Sequence, residues 1–555
     1  MAENGDGTIN FNSGLPLTFT AINTPYYQWP RLDADLGLYA EDTWHYKRMA
    51  LTGGIRWEYM AAEIAAENAP GGRFVGARTV PEANCSTIKG MGCWKDWAPR
   101  LGAVYDVFGN HKTALKAGIA KYNSQYATGF TNNLNPMSAQ TLALAWSAAG
   151  ANLPQCAPIT FEGIPAPNPS CFPTGSFGGS GALAGVGAGT LGPTTNPSFG
   201  SIVANNGVAL DPNWHRDYVW AYNAGIQQEI RRGVTANFNW YRGSHYQQTL
   251  VLNYAVPFSA WSQTTIINPL NGSSIPFYYL PTAPPAPVTY QTNTPQSLVR
   301  NVYTGYEVSV QARLPRNAFV FAGWTIDRDM DRSCATSAGT VSTITGNRLN
   351  DPNSLRFCDY WGVLDQNLGV VPSPPWANEF KLQAAIPIRW GFVFSTSLAS
   401  LRLNEEGATG GTTNNGFLTR TWTLTAASVY PAHCQGCTPG ARVFPAGFVL
   451  GQASETINLV APGQVLAPRL NQLDLSLKKT FRFKDRYVLE PEGQVFNVTN
   501  SNAAILESGA LGADAAPFLS KSACASVGTP NCGLGGTANV IENPRLLRLA
   551  LLFRF

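Results

Sequence analysis

Paired carboxylates, a cysteine–histidine cluster and a glycine-rich stretch are the groups in this chain whose spacing has chemical meaning. Glu490 and Glu492 stand two residues apart, so on a strand they share one face, as an acid and a base would need to. Asp327, Asp329 and Asp331 reproduce the opening of a calcium loop, but Arg332 stands where glycine is required and Ala338 where the closing glutamate belongs. His433, Cys434 and Cys437 supply metal-ligand types and lack a fourth partner. Gly187, Gly189 and Gly192 fit G-x-G-x-x-G, yet no strand precedes them and Pro193 follows, so they read as a flexible loop. No serine–histidine–aspartate or cysteine–histidine arrangement is traceable. The expectation is a protein that is not an enzyme, with no cofactor and no metal. The two glutamates then solvate a polar face, the aspartates form a solvated acidic loop, and Cys434 and Cys437 close a small disulfide loop.

The ten cysteines fall in sequence-adjacent pairs: Cys85 with Cys93, Cys156 with Cys171, Cys334 with Cys358, Cys434 with Cys437, and Cys524 with Cys532. Each pair lies in a Gly/Pro/Ser-rich stretch and none within an alternating run, which predicts local disulfides and an oxidising compartment. Charged residues make up 13% of the 555 residues, against roughly 25% in ordinary globular proteins, so something other than charge must cover the surface. No apolar run is long enough to cross a bilayer as a helix, so any crossing must use strands. The opening MAENGDGTIN has neither a basic nor an apolar leader segment, so no export signal is expected in this chain. A net charge of +4 without a Lys/Arg block gives no footprint for nucleic acid.

The elements that must position these residues follow from period-two alternation. In the closing segment, Leu547, Leu549, Leu551, Phe553 and Phe555 share one face, while Arg548, Ala550 and Arg554 share the other. Six hairpins precede it. They span Arg31–Tyr59 turning near His45–Arg48, Arg100–Tyr122 across FGNH, Asp217–Gly243 across RRG, Tyr306–Ile326 around LPRN, Glu379–Ser400 around PIRW, and Asn471–Asn497 around KDR. Asp42 interrupts the first alternation and reads as a bulge or the end of the apolar band. Residues 1–30 show little periodicity and read as loop. Short and long connections alternate, all cysteine pairs fall in the long ones, and aromatics crowd the short turns: Trp44, Tyr46, Phe108, Phe319, Trp390, Phe392, Phe481, Phe483, Tyr487, Phe553 and Phe555. The fold class is therefore all-β, an antiparallel transmembrane β-barrel of about thirteen strands, with short periplasmic turns, long extracellular loops and its apolar face against outer-membrane lipid.

On this reading the inward charges Arg56, Glu58, Arg100, Lys116, Glu229, Arg313, Lys381 and Arg548 are candidate ligand contacts. So are the loop aromatics Trp94, Trp97, Trp214, Trp361 and Trp376. The competing roles are solvation of the lumen for the charges and packing of the loops for the tryptophans. Loops this large suit a bulky ligand such as an oligosaccharide, a peptide or a chelated metal.

LGLYAEDTW with LTGGIRWEY, WAPRLGAVYD with KTALKAGIAKY, NQLDLSLKKTF with EGQVFNVTN, and the terminal Phe555 together resemble the barrel of TonB-dependent outer-membrane transporters, and within them the Oar-like branch. The resemblance runs from about Arg31 to the end. It implies a plugged barrel of about twenty-two strands, of which this chain is the carboxy-terminal part. Residues 1–30 then belong to an external segment and 31–555 to the barrel. The signal peptide, any regulatory-like domain, the plug with its TonB-contacting segment and about nine strands would be lacking. It further implies insertion by the barrel assembly machinery through the C-terminal strand, with Phe555 as signature, and a TonB complex as partner only if a plug exists. A passive outer-membrane pore or structural barrel, and a secreted soluble β-rich binding protein, are the alternatives.

Overall fold

The computed structural model describes residues 7–12, 15–72, 75–126, 128–145, 159–161, 164–166, 199–253, 255–285, 288–293, 300–332, 335–337, 340–342, 352–355, 376–402, 412–413, 417–418, 420–431, 434–460, 469–484, 486–508, 537–541 and 543–555. Alternating apolar and polar residues with high β-propensity form long strands that pair with their sequence neighbours. These are β1 (Pro30–Tyr46), β2 (Met49–Ile64), β3 (Cys93–Asp106), β4 (Thr113–Asn123), β5 (Tyr218–Arg231), β6 (Val234–Tyr246) and β7 (Arg300–Leu314). They continue as β8 (Ala318–Arg332), β9 (Ala377–Pro387), β10 (Phe392–Arg402), β11 (Arg469–Lys479), β12 (Tyr487–Phe496) and β13 (Leu546–Arg554). With the short strand Phe481–Phe483, which pairs with β12 just past the end of β11, they make one 14-stranded antiparallel sheet. The thirteen long strands match the expectation from alternation. Among the described residues β1 and β13 do not pair with each other, which leaves the sheet with two open edges there.

Register fixes the faces, because directly paired residues share one. Leu38 lies opposite Trp57, Leu101 opposite Ile119, Ile226 opposite Phe238, Val308 opposite Trp324, Leu382 opposite Leu398, and Leu475 opposite Val495, so one side of the sheet is apolar across every hairpin. Many of its large side chains are open to the surroundings: Leu549 is 78% exposed. The opposite side pairs Tyr39 with Arg56, Asn239 with Glu307, and Lys478 with Glu492. Tyr487, Phe553 and Phe555 stack at 6.1 Å spacings on the apolar side by the short turns, as an interfacial girdle requires. Phe319 departs from that girdle; it pairs with Arg313 on the polar face.

Several boundaries differ from the sequence reading. Residues 1–30 include a hairpin, Gly7–Asn12 with Leu15–Ile22, to which Thr141–Ala145 adds a third strand. Its alternation in LPLTFTAI is too short to stand out. The ladder passes Asp42 without interruption, since Asp42 pairs with Gly53, and the bulge lies instead between Leu32 and Ala34. Asp327 and Asp329 lie on β8, opposite Gly305 and Tyr303, and not in a loop. Gly233 makes the β5–β6 turn at φ 80°, where a Cβ would sit 2.5 Å from the Arg313 carbonyl oxygen, so only glycine fits.

Two long connections fold against each other into a layer with its own core. Ile266, Ile275 and Phe277 from the β6–β7 connection pack on Trp422, Leu424, Phe444 and Ile457 from the β10–β11 connection. Asn268 Nδ2 donates to the Leu459 carbonyl at 2.9 Å, and the Gly451 amide donates to the Leu280 carbonyl at 2.6 Å. The Cys434–Cys437 disulfide packs on this core. Cys85–Cys93 is the other disulfide among the described residues, and Cys93 is the first residue of β3. The pairs Cys156/Cys171, Cys334/Cys358 and Cys524/Cys532, with His433, Trp361 and the Gly187–Gly192 stretch, lie outside the described residues.

Candidate functional site

Where the polar face meets the long connections, β2, β3, β4 and the approach to β5 converge. Glu58 on β2 lies directly opposite Asp96 on β3, two carboxylates in register that would repel. Arg216, just before β5, resolves the conflict. Its Nη2 donates to Glu58 Oε2 and its Nε to Asp96 Oδ2, both at 2.6 Å. A third bond runs from Nη1 to the Ser124 carbonyl at 3.4 Å. The planar guanidinium suits such a fork, and at 6% exposure it is nearly out of solvent. Arg56 Nε reaches the other Glu58 oxygen at 2.7 Å, and Asn123 Nδ2 donates to Glu58 Oε2 at 3.3 Å. Gly37, paired with Glu58, leaves the Arg56 guanidinium its place, since a Cβ there would lie 2.5 Å from Nη2.

Above this cluster Trp94, Trp214, Met60, Tyr126 and Phe130 form an aromatic knot. Trp94 and Trp214 meet edge to face at 5.3 Å between ring centroids, and Trp214 Nε1 donates to Thr249 Oγ1 at 3.2 Å. The Tyr126 hydroxyl donates to Asp217 Oδ1 at 2.9 Å, and Ser124 to Oδ2 at 2.6 Å. Burial first, and the Asp217 carboxylate second, push the Tyr126 phenol up from 10.0 to about 12. Asp211, in the same connection, is held below the usual carboxylate range by the Thr292 hydroxyl and the Asn213 amide. Because Tyr126 is neutral in the folded state where the unfolded chain already ionises, its contribution to stability is complete below pH 10 and declines as pH rises toward 12. Ultraviolet phenolate titrations of the wild type and of Tyr126→Phe should differ by one late-ionising tyrosine. An unchanged late amplitude in the variant would show that Tyr126 ionises normally.

The other sequence-derived candidates do not join this cluster. Arg100 lies over the Tyr122 ring at 5.0 Å, and Lys116 Nζ donates to Gln227 Oε1 at 2.5 Å, further down the polar face. Glu229 and Arg313 sit at the short turns after β5 and β7. Lys381 is 3.9 Å from Glu379, and Arg548 on β13 pairs with Gln494 on β12. The tryptophans also divide. Trp94, on β3 and not in a loop, is 3% exposed and Trp214 2%, so both pack the base of the connections. Trp97, also on β3, faces Trp57 at 6.5 Å on the apolar side, and Trp376 stacks with Tyr306 and Arg328 there. Those two belong to a second girdle by the long connections. Asp96 and Arg216 went unread in the sequence; extending the alternation upstream from Arg100 puts Asp96 on the polar face, whereas no spacing signals Arg216.

A sheet apolar on one side and polar on the other, girdled by aromatics and joined by alternating short and long connections, is an outer-membrane β-barrel sheet. The chain belongs to the family described as outer membrane beta barrel domain, whose model matches residues 2–368, and its place is the outer membrane. No curated protein matches. Among solved structures it is similar to the outer membrane transporter YddB from Escherichia coli, at 9% identity and a TM-score of 0.35, covering 97% of this chain and 53% of that one. The ferripyoverdine receptor of Pseudomonas aeruginosa is similar at 10% identity and TM-score 0.38, covering 98% of this chain and 40% of that one. The siderophore receptor PirA from Acinetobacter baumannii is similar at 11% identity and TM-score 0.36, covering 98% and 56%. This chain thus spans about half the length of these structures.

Proposed function

We propose that the chain is the barrel portion of a TonB-dependent, Oar-like outer-membrane transporter that takes up a bulky ligand and carries out no catalysis. The observation that carries this reading is the layer of long connections folded on its own core, standing over a polar sheet face whose upper end is organised by Arg216, Glu58 and Asp96. A simple pore has no need of so built a covering; a receptor does. Residues 1–30 then form an external segment and 31–555 the barrel. Arg56, Glu58, Arg100, Lys116, Lys381 and Arg548 remain the proposed ligand-facing charges, with Glu229 and Arg313 nearer the periplasm. The open edges at β1 and β13 call for further strands, because an unpaired edge cannot be hydrated within a bilayer. Assembly machinery would engage β13, ending in Phe555, and a TonB complex would act only through a plug.

The test is uptake by cells expressing the full chain from its own gene, offered a radiolabelled maltodextrin, an oligopeptide or a ferric chelate. Accumulation of one of them that an uncoupler abolishes supports active transport. Steady potassium chloride conductance in a planar bilayer, with uptake indifferent to the uncoupler, would replace this reading with the passive pore.

A further inference from the structure

Lys479 ends β11 on the apolar face, in register with Phe392 and one step past Leu477 on that side. Its ammonium lies 4.4 Å from the Phe392 ring centroid and 5.2 Å from that of Phe481, and donates to the Trp390 carbonyl. Beside it the sheet is indented. A groove of about 500 Å³ is floored by Pro491 and Gly493 and walled by Leu477, Leu549 and Leu551, with Lys479 on the short-turn side. The indentation has a covalent origin: Gly493 has no side chain, and Pro491 lacks an N–H. The β11–β12 ladder stops at Lys478–Glu492 and resumes only at Phe481–Leu489.

A lysine on a lipid-facing surface is tolerated only near the headgroups, and the neighbouring aromatics place Lys479 there. The Trp390 carbonyl takes one of its three N–H donors, which leaves others for an anion. We propose that this groove holds one anionic phospholipid of the periplasmic leaflet, with an acyl chain along Leu477, Leu549 and Leu551 and its phosphate on Lys479. The inference rests on the apolar face meeting lipid and the short turns meeting the periplasm, and it is independent of transport.

The full chain, purified in detergent and equilibrated with equal amounts of phosphatidylglycerol and phosphatidylcholine, would be examined by native mass spectrometry. One retained phosphatidylglycerol is expected, with about a tenfold weaker preference in Lys479→Ala, the usual loss for a charge-assisted contact. Lys479→Arg should keep the preference, and Gly493→Leu should lose both lipids by filling the groove. Inorganic phosphate alone should not displace the lipid, since the acyl chain carries part of the binding. Native electrophoretic mobility checks that each variant is folded. Wild-type retention of phosphatidylglycerol by folded Lys479→Ala overturns the site while leaving membrane embedding intact. Absence of any phosphatidylglycerol preference in the wild type would overturn the site as well.

Discussion

Replacing Arg216 by methionine is expected to lower stability by about 3 kcal/mol, the lower end of what removing one partner of a buried ion pair costs. The lower end applies because Glu58 and Asp96 keep about a fifth of their side chains in water, at 22% and 20% exposure, whereas Arg216 keeps 6%. Without the guanidinium, two carboxylates stand opposed across the β2–β3 ladder, and Arg56 can compensate only one of them. Arg216→Lys should recover part of the loss, since an ammonium cannot bond both carboxylates in the same planar fork. Combining Arg216→Met with Glu58→Gln and Asp96→Asn should recover most of it by removing the repulsion. Urea unfolding from phospholipid vesicles, followed by tryptophan fluorescence, measures all three. An Arg216→Met midpoint equal to wild type would show that the cluster contributes nothing.

The same cluster shows which parts of the molecule are legible from residue order. Strand number, faces and turns follow from alternation alone, because a period of two assigns each residue to a side without knowledge of its partner. Leu475 and Ser476, or Arg548 and Leu549, are placed correctly that way. The repulsion between Glu58 and Asp96 is invisible until the β2–β3 register is known, for they lie in different strands joined by a long connection. Arg216 is harder still. By parity with Tyr218 and Trp220 it would fall on the apolar side, but the strand begins only at Tyr218 and the preceding backbone turns its side chain inward. Trp97 errs in the opposite direction: assigned to a loop, it extends the alternation of Leu101 upstream and faces outward against Trp57. What escapes the sequence is where the strands continue beyond the apolar band, because there the pattern loses the lipid that enforces it.

Arginine at Leu475 and arginine at Ser476 should differ sharply, although the two positions are adjacent on β11. Leu475 pairs with Thr396 and Val495 on the apolar face, near the middle of the strand. A cation there must be drawn into hydrocarbon or dragged to an interface, at a cost of about 2–4 kcal/mol. Ser476 pairs with Ser395 and Gln494 on the polar face, and its hydroxyl donates to Glu492 Oε1 at 2.6 Å. Arginine there forfeits that bond, worth about 1 kcal/mol, and gains a carboxylate partner in return, so the net change should be small. Reversible refolding into phospholipid vesicles gives both values. Spin labels at the two positions separate a lipid-facing leucine from one buried in a soluble sandwich, where the arginine would also be costly. Oxygen, concentrated in hydrocarbon, should relax a label at 475, and a water-soluble nickel chelate should relax one at 476. Equal relaxation of both labels by the nickel chelate would mean that the apolar face does not meet lipid.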